Sequence, residues 1–264
     1  MISPVLKAEQ VCMYFGGLKA VEKVDMSITK GDIFGIIGPN GAGKTTFFNV
    51  CSGINKPTSG RIYLDGEEVT GKSPEHIASL GLSRTFQNIM LFKYMTVLEN
   101  IKIGFHLKLK TNLLDAVLHT PRYKREEAFT VEEGRKILDL VGLSEYADTV
   151  AGNLPYGIQR KVEIARALAL DPKILLLDEP AAGMNPKETR ELSDFIKEIN
   201  ALGYTVAVIE HDMRFVMGTC NRILVLNFGE KIAEGGPDEI RQDKAVREAY
   251  FGKGIAMGES ARQC

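Results

Sequence analysis

The sequence predicts an α/β fold, with a strand–loop–helix core, an antiparallel β subdomain near its start and a helical subdomain inserted midway. Three observations predict it. Ile33-Phe34-Gly35-Ile36-Ile37 reads as a buried strand that runs directly into Gly38-Pro39-Asn40-Gly41-Ala42-Gly43-Lys44-Thr45, a match to G-x-x-x-x-G-K-[ST] that opens a helix. Ile174-Leu175-Leu176-Leu177 is apolar throughout, as in parallel sheets covered on both faces, and it ends in Asp178-Glu179. Between Met90 and Gly157 the strand signals fade and helical patterns replace them. The expected division is a discontinuous core of residues 1–89 and 160–254, a helical unit over 90–159 and a tail over 255–264.

Taken in order, Val5–Tyr14 and Ala20–Ile28 are rich in β-forming residues, and Arg61–Gly66 ends in the Asp-Gly signal of a hairpin. Ser73-Pro74-Glu75 combines a capping hydroxyl, proline at the first helical position and an acid in the first turn, so a helix starts there. Leu82–Phe86 returns as a short strand, and Val131–Leu140 reads as a helix stopped at Gly142. Asn185-Pro186-Lys187-Glu188 has capping-box chemistry and opens a helix running to Gly203. Tyr204–Ile209 and Ile223–Leu226 are strands, and Phe228-Gly229-Glu230 turns into a last one over Lys231–Glu234.

Composition narrows the class. The 264 residues are 44% hydrophobic and 25% charged, ordinary for a globular chain, and the net charge of −1 argues against nucleic acid as a bulk electrostatic partner. No apolar run is long enough to span a bilayer, and the first residues lack the layout of a signal peptide. Cys12, Cys51, Cys220 and Cys264 are scattered and form no C-x-x-C pair, so reduced, mostly buried thiols of a cytosolic chain are expected.

The chemistry begins at the glycine-rich loop. Its backbone from Gly38 through Thr46, which carries an N–H at every position except Pro39, would face phosphate oxygens at a helix N-terminus, Lys44 would reach the β- and γ-phosphates of a nucleoside triphosphate, and the Thr45 hydroxyl would ligate Mg²⁺. Asp178 and Glu179 end a buried strand, where open α/β sheets place ligands; Asp178 suits the Mg²⁺ shell, and Glu179 suits a proton acceptor for attacking water. The basic stretch Pro121-Arg122-Tyr123-Lys124-Arg125, with His106, Lys108 and Lys110, reads as a solvated helix face balanced by Glu126 and Glu127, with lipid headgroups or loops of a membrane protein as the alternative.

With these residues in order, the chain resembles the ATPase subunits of ABC transporters over roughly residues 4–252. That resemblance implies a RecA-like P-loop NTPase core and ATP as the nucleotide. It implies that Gln87, after Arg84-Thr85-Phe86, reaches Mg²⁺ and senses membrane subunits, that His211 contacts the γ-phosphate and that Phe15 stacks on adenine. Ala181–Pro186 matches the family's D-loop, with Asn185 where an acid is usual. The family's L-S-G-G-Q signature stands here as Leu154-Pro155-Tyr156-Gly157-Ile158, without the serine hydroxyl, leaving the Tyr156 and Gly157 amides at a helix N-terminus. Two inequivalent ATP sites in an asymmetric dimer are therefore expected.

Within the family, Phe15–Val21, Arg84–Asn88, the tyrosine-bearing signature, Asp178–Gly183, an insert over His106–Arg125 and the Ala249-Tyr250-Phe251-Gly252 ending resemble the longer ATPase subunit of branched-chain amino acid importers. The likeness implies two permease subunits, a paralogous ATPase or a second copy as dimer partner, an indirect extracytoplasmic solute-binding protein, and residence at the cytoplasmic face of the membrane. Transporters of urea, amides or lipopolysaccharide are the rival cargo readings. A soluble ABC ATPase is disfavoured by the single ATPase domain and the lack of sustained heptads.

Overall fold

The computed structural model describes residues 3–251. Gly252 of the expected ending, the end of the core to 254 and the tail 255–264 with Cys264 lie outside the described residues.

The chain opens with a long hairpin, β1 (Pro4–Phe15) and β2 (Leu18–Thr29), and then enters the fully buried β3 (Ile33–Ile37). The glycine-rich loop leads into α1 (Lys44–Cys51). β4 (Ser59–Leu64) and β5 (Glu67–Glu68) close around Asp65 and Gly66, both at positive φ, as the Asp-Gly signal requires. Ser73 caps α2 (Pro74–Ser79) by accepting from the His76 N–H. β6 (Leu82–Arg84) is shorter than the expected Leu82–Phe86. Thr85 donates its N–H to the Leu176 carbonyl, but Phe86 already turns outward, 44% exposed.

Four helices follow: α3 (Val97–Ile103), α4 (Leu113–Val117), α5 (Pro121–Leu140) and α6 (Tyr156–Leu168). α5 starts ten residues before the expected Val131, because Thr120 accepts from the Tyr123 N–H and Pro121 supplies a first-turn φ. The basic stretch thus forms its first turn. Its expected neutralisation is only partial: Arg122 meets Glu126, but Glu127 pairs with Lys102 on α3.

β7 (Ile174–Asp178) resumes the alternation, followed by α7 (Pro186–Ala201), whose capping box joins Asn185 and Glu188 as expected. α7 ends before Gly203, which takes φ 101° after the cap. β8 (Thr205–Ile209), α8 (Met213–Thr219), β9 (Arg222–Asn227), β10 (Glu230–Gly235), α9 (Pro237–Gln242) and α10 (Lys244–Phe251) complete the described residues. The last three helices and β5 carried too short a pattern to be read beforehand.

Two sheets result. The antiparallel sheet has the order β2-β1-β4-β5, and the larger one β10-β9-β3-β8-β7-β6, parallel except for β10. Alternate residues of the parallel strands feed two cores. Phe34, Ile36, Leu176, Ala207 and Leu224 pack with the antiparallel sheet and α1, whereas Leu175, Leu177, Val206, Val208 and Ile223 pack with the helices on the other face. Register brings Asp178 beside Ile209 and Ile209 beside Ile36, so the segments after β3, β6, β7 and β8 emerge at one carboxyl edge. Cys12, Cys51 and Cys220 are buried and free, and burial pushes the Cys51 and Cys220 thiols up to about 12.

Candidate functional site

At that carboxyl edge the glycine-rich loop is fixed by its own sterics. A β-carbon on Gly38 would lie 2.1 Å from the Leu226 carbonyl oxygen, and one on Gly43, at φ 95°, 2.2 Å from that of Ala20. The loop is therefore pressed against the start of β2 and the end of β9, with its wrapping set by backbone contacts. Ala42 donates to the Pro39 carbonyl, and Gly229 donates to that of Ala42. Gly43→Ala should abolish this geometry, lowering nucleotide affinity at least tenfold in a fluorescent-nucleotide titration, by roughly 1.4 kcal/mol or more.

Lys44 is buried and curls over the loop, donating from Nζ to the carbonyls of Gly38 (2.7 Å) and Pro39 (3.0 Å). Burial pulls its ammonium down, while the carboxylates of Glu179, Glu210 and Asp178 pull it back up. Thr45 and Asn40 are exposed, and Pro39 and Thr46 half-buried. The open cradle of amides at the start of α1 fits a polyphosphate.

Asp178 is 4% exposed and accepts from Arg84 Nη2 at 2.6 Å on Oδ2. Arg84 also donates to Asn49 Oδ1 and Ser52 Oγ and lies over the rings of Phe48 and Phe86. Nothing local in the sequence marks this pair, since its members stand 94 residues apart.

Glu179 adopts φ 44°, an unusual left-handed conformation for a non-glycine residue, with its N–H on the Ile209 carbonyl. Gln87 Nε2 donates to Glu179 Oε2 at 2.9 Å, and His211 Nδ1 lies 4.0 Å from the same oxygen. His211 is exposed and also stands 3.6 Å from Glu210 Oε2. Glu210, 1% exposed, accepts from the N–H groups of Ala181 and His211; burial pushes its carboxyl up, and these amides partly offset it. Glu210 thereby joins the D-loop segment to His211, a role that its place beside the histidine did not reveal.

The structure thus gathers Gln87, Glu179 and His211, with Lys44 in the field of Asp178 and Glu179. Thr45, Gln87 and Asp178 all offer oxygen, the donor type that Mg²⁺ takes, and an ion that keeps waters and phosphate oxygens needs few protein ligands. Phe15 is 49% exposed at the tip of the β1–β2 hairpin, five residues before the Ala20 carbonyl that touches Gly43. Tyr156 and Gly157 form a second locus: the Tyr156 ring neighbours Gly183, and Gly157 faces Glu188. Pro155 is the N-cap of α6 and makes no side-chain cap; its carbonyl accepts from the N–H groups of Ile158 and Gln159, while those of Tyr156 and Gly157 head the helix.

The family model for ABC transporters matches residues 21–182, and one for the branched-chain amino acid ATP-binding cassette transporter matches 230–256. The chain is 45% identical to the high-affinity branched-chain amino acid transport ATP-binding protein LivG of Escherichia coli (strain K12), over 96% of this chain and 100% of that protein. BraF of Pseudomonas aeruginosa, described in the same words, is also 45% identical at the same coverage. Among solved structures, the ADP conformation of MJ1267, an ATP-binding cassette of an ABC transporter, superposes with a TM-score of 0.83 at 37% identity, covering 95% of this chain and 99% of that one. The ADP- and Pi-bound dimer of the cassette MJ0796 gives 0.71 at 26% identity, covering 88% and 98%. The strand–loop–helix cradle, the paired acids after β7 and these likenesses agree, and the chain belongs to the ABC transporter family as an ATP-binding, ATP-hydrolysing subunit.

Proposed function

We propose that this chain hydrolyses ATP to energise uptake of branched-chain amino acids through two membrane permease subunits. Relatives named for that cargo support the reading, as does the match over residues 230–256. Among the described residues no helix is long and apolar enough to cross a membrane, so attachment to the cytoplasmic face would run through the permeases. An extracytoplasmic solute-binding protein would deliver the cargo.

The observation that carries the mechanism is the convergence of Gln87, Glu179 and His211. The loop Gly38–Thr46, through every backbone N–H but the one Pro39 lacks, and the Lys44 ammonium hold the β- and γ-phosphates, and Phe15 stacks on adenine. Thr45, Asp178 and the Gln87 amide oxygen would hold Mg²⁺, which neutralises charge on the phosphate oxygens when bound. Glu179 accepts the proton of the water whose oxygen attacks the γ-phosphorus as the bond to the β–γ bridging oxygen breaks, and His211 contacts the γ-phosphate. Tyr156 and Gly157 present their amides to an ATP on the partner ATPase, a paralogue or a second copy. The functional division is the core over 1–89 and 160–254 and the helical unit over 90–159; α6 crosses the boundary and so takes part in both.

Mixing the Glu179→Gln variant with ATP and candidate paralogous ATPases on a sizing column tests the pairing. Dimerisation only with a paralogue is expected. A stable homodimer alone would show that Leu154–Ile158 works as a signature despite Pro155, and would retire the inequivalent-site reading.

A further inference from the structure

Arg160 lies on α6, four residues past its first residue, and its guanidinium is fully buried. Its Nη1 donates to the Phe86 carbonyl at 2.9 Å and to Glu163 Oε2 at 2.7 Å, and its Nη2 donates to the Gln87 carbonyl at 2.7 Å. Glu163, equally buried, takes the Met90 N–H on its other oxygen at 3.0 Å, and Arg166 donates to the Met90 carbonyl at 2.7 Å. Three side chains of one helix thus hold four backbone groups of residues 86–90, a segment without helix or strand of its own. Gln87 belongs to that segment, and its amide reaches Glu179.

The arrangement is poor value as a stabilising device. A buried ion pair generally does no better than apolar side chains of the same volume, and Arg160 Nε has no hydrogen-bond partner. Burial pushes the Glu163 carboxyl up, against the pull of the Met90 N–H and the two arginines. What the grip does supply is register. The end of α6 that carries Tyr156 and Gly157 and the backbone of Gln87 are parts of one hydrogen-bonded body, so a shift of the helix displaces the Gln87 amide from Glu179.

We propose that Arg160, supported by Glu163 and Arg166, is the positioning residue that sets Gln87 against Glu179 and ties that setting to the N-terminus of α6. The proposal deepens the function above and rests on its reading of Gln87 as part of the hydrolytic site. A lysine at 160 keeps the charge opposite Glu163 but has one nitrogen where the guanidinium places two in a fixed fork, so it cannot hold the Phe86 and Gln87 carbonyls together with Glu163 in this geometry.

The test is a double-mutant cycle on ATP turnover by the full chain in its transporter complex, with Arg160→Lys, Gln87→Ala and both together. Arg160→Lys is expected to lower kcat about tenfold with nucleotide affinity within about twofold, and the double variant to be no slower than Gln87→Ala alone. Wild-type kcat in Arg160→Lys, or losses that multiply in the double variant, would overturn the proposal. Amide exchange separates it from the reading beneath it. Exchange at Met90 and its neighbours should quicken in Arg160→Lys while α5 is unchanged. If Gln87→Ala turns over at the wild-type rate, the role of Gln87 falls, and unchanged exchange in Arg160→Lys would then remove the grip as well. Should Arg160→Lys fail to fold, Arg166→Lys, which gives up only the Met90 carbonyl, is expected to show a smaller loss of the same sign; an unchanged kcat there overturns the proposal.

Discussion

Glu179→Gln is expected to bind ATP as the wild-type chain does and to hydrolyse it about 10²–10⁴ times more slowly, the range set by removing a general base. The substitution keeps the size of the side chain and its oxygen toward Gln87 Nε2, so the contact that anchors it at 2.9 Å persists. What disappears is the oxygen able to take a proton. Glu179 holds a left-handed φ of 44° with its N–H tied to the Ile209 carbonyl, which aims the carboxyl away from the core and toward Gln87 and His211. A residue held in such a conformation needs surroundings that over-determine it. Single-turnover hydrolysis together with nucleotide binding checks the prediction: slow chemistry with intact affinity supports it, and wild-type turnover removes Glu179 from the role.

The parts of this site that could be read in advance are those encoded locally. The loop Gly38–Thr45 announces itself because its glycines are demanded within eight residues, Gly38 and Gly43 by contacts that no side chain tolerates and Gly41 by its φ of 80°. The capping box at Asn185, the Asp65-Gly66 turn and the apolar run before Asp178 are local in the same sense. Gln87, His211 and Phe15 were legible only through their order along the chain, since a lone amide, histidine or aromatic carries no signal. Arg84 and Arg160 were missed as chemistry. An arginine reads as surface by default, and both are buried by partners that only the tertiary fold supplies, Asp178 across the sheet and the Phe86 and Gln87 carbonyls across to α6. The start of α5 was missed because the apolar pattern begins well after its cap, so the first two turns are written mainly in polar residues.

Arg84→Met is expected to cost the fold about 3–5 kcal/mol, because it leaves Asp178 charged, 4% exposed and without its partner. For a chain of this size that lowers Tm by roughly 6–20 °C. The loss extends beyond the pair, since Arg84 also holds Asn49 and Ser52 around the end of α1 and covers Phe48, so the helix that carries Lys44 and Thr45 loses a tether to β7. Methionine keeps much of the packing volume, which assigns the deficit to the lost ion pair and hydrogen bonds rather than to a cavity. Adding Asp178→Asn should therefore recover part of the lost Tm, as the uncompensated carboxylate is gone, while hydrolysis stays low because the proposed Mg²⁺ ligand is gone too. Calorimetry of the two variants decides it. Arg84→Met melting within about 2 °C of wild type would mean that water reaches Asp178 and that the pair does not hold the site together; full recovery of both stability and turnover in the double variant would show that the Asp178 carboxylate serves Arg84 alone.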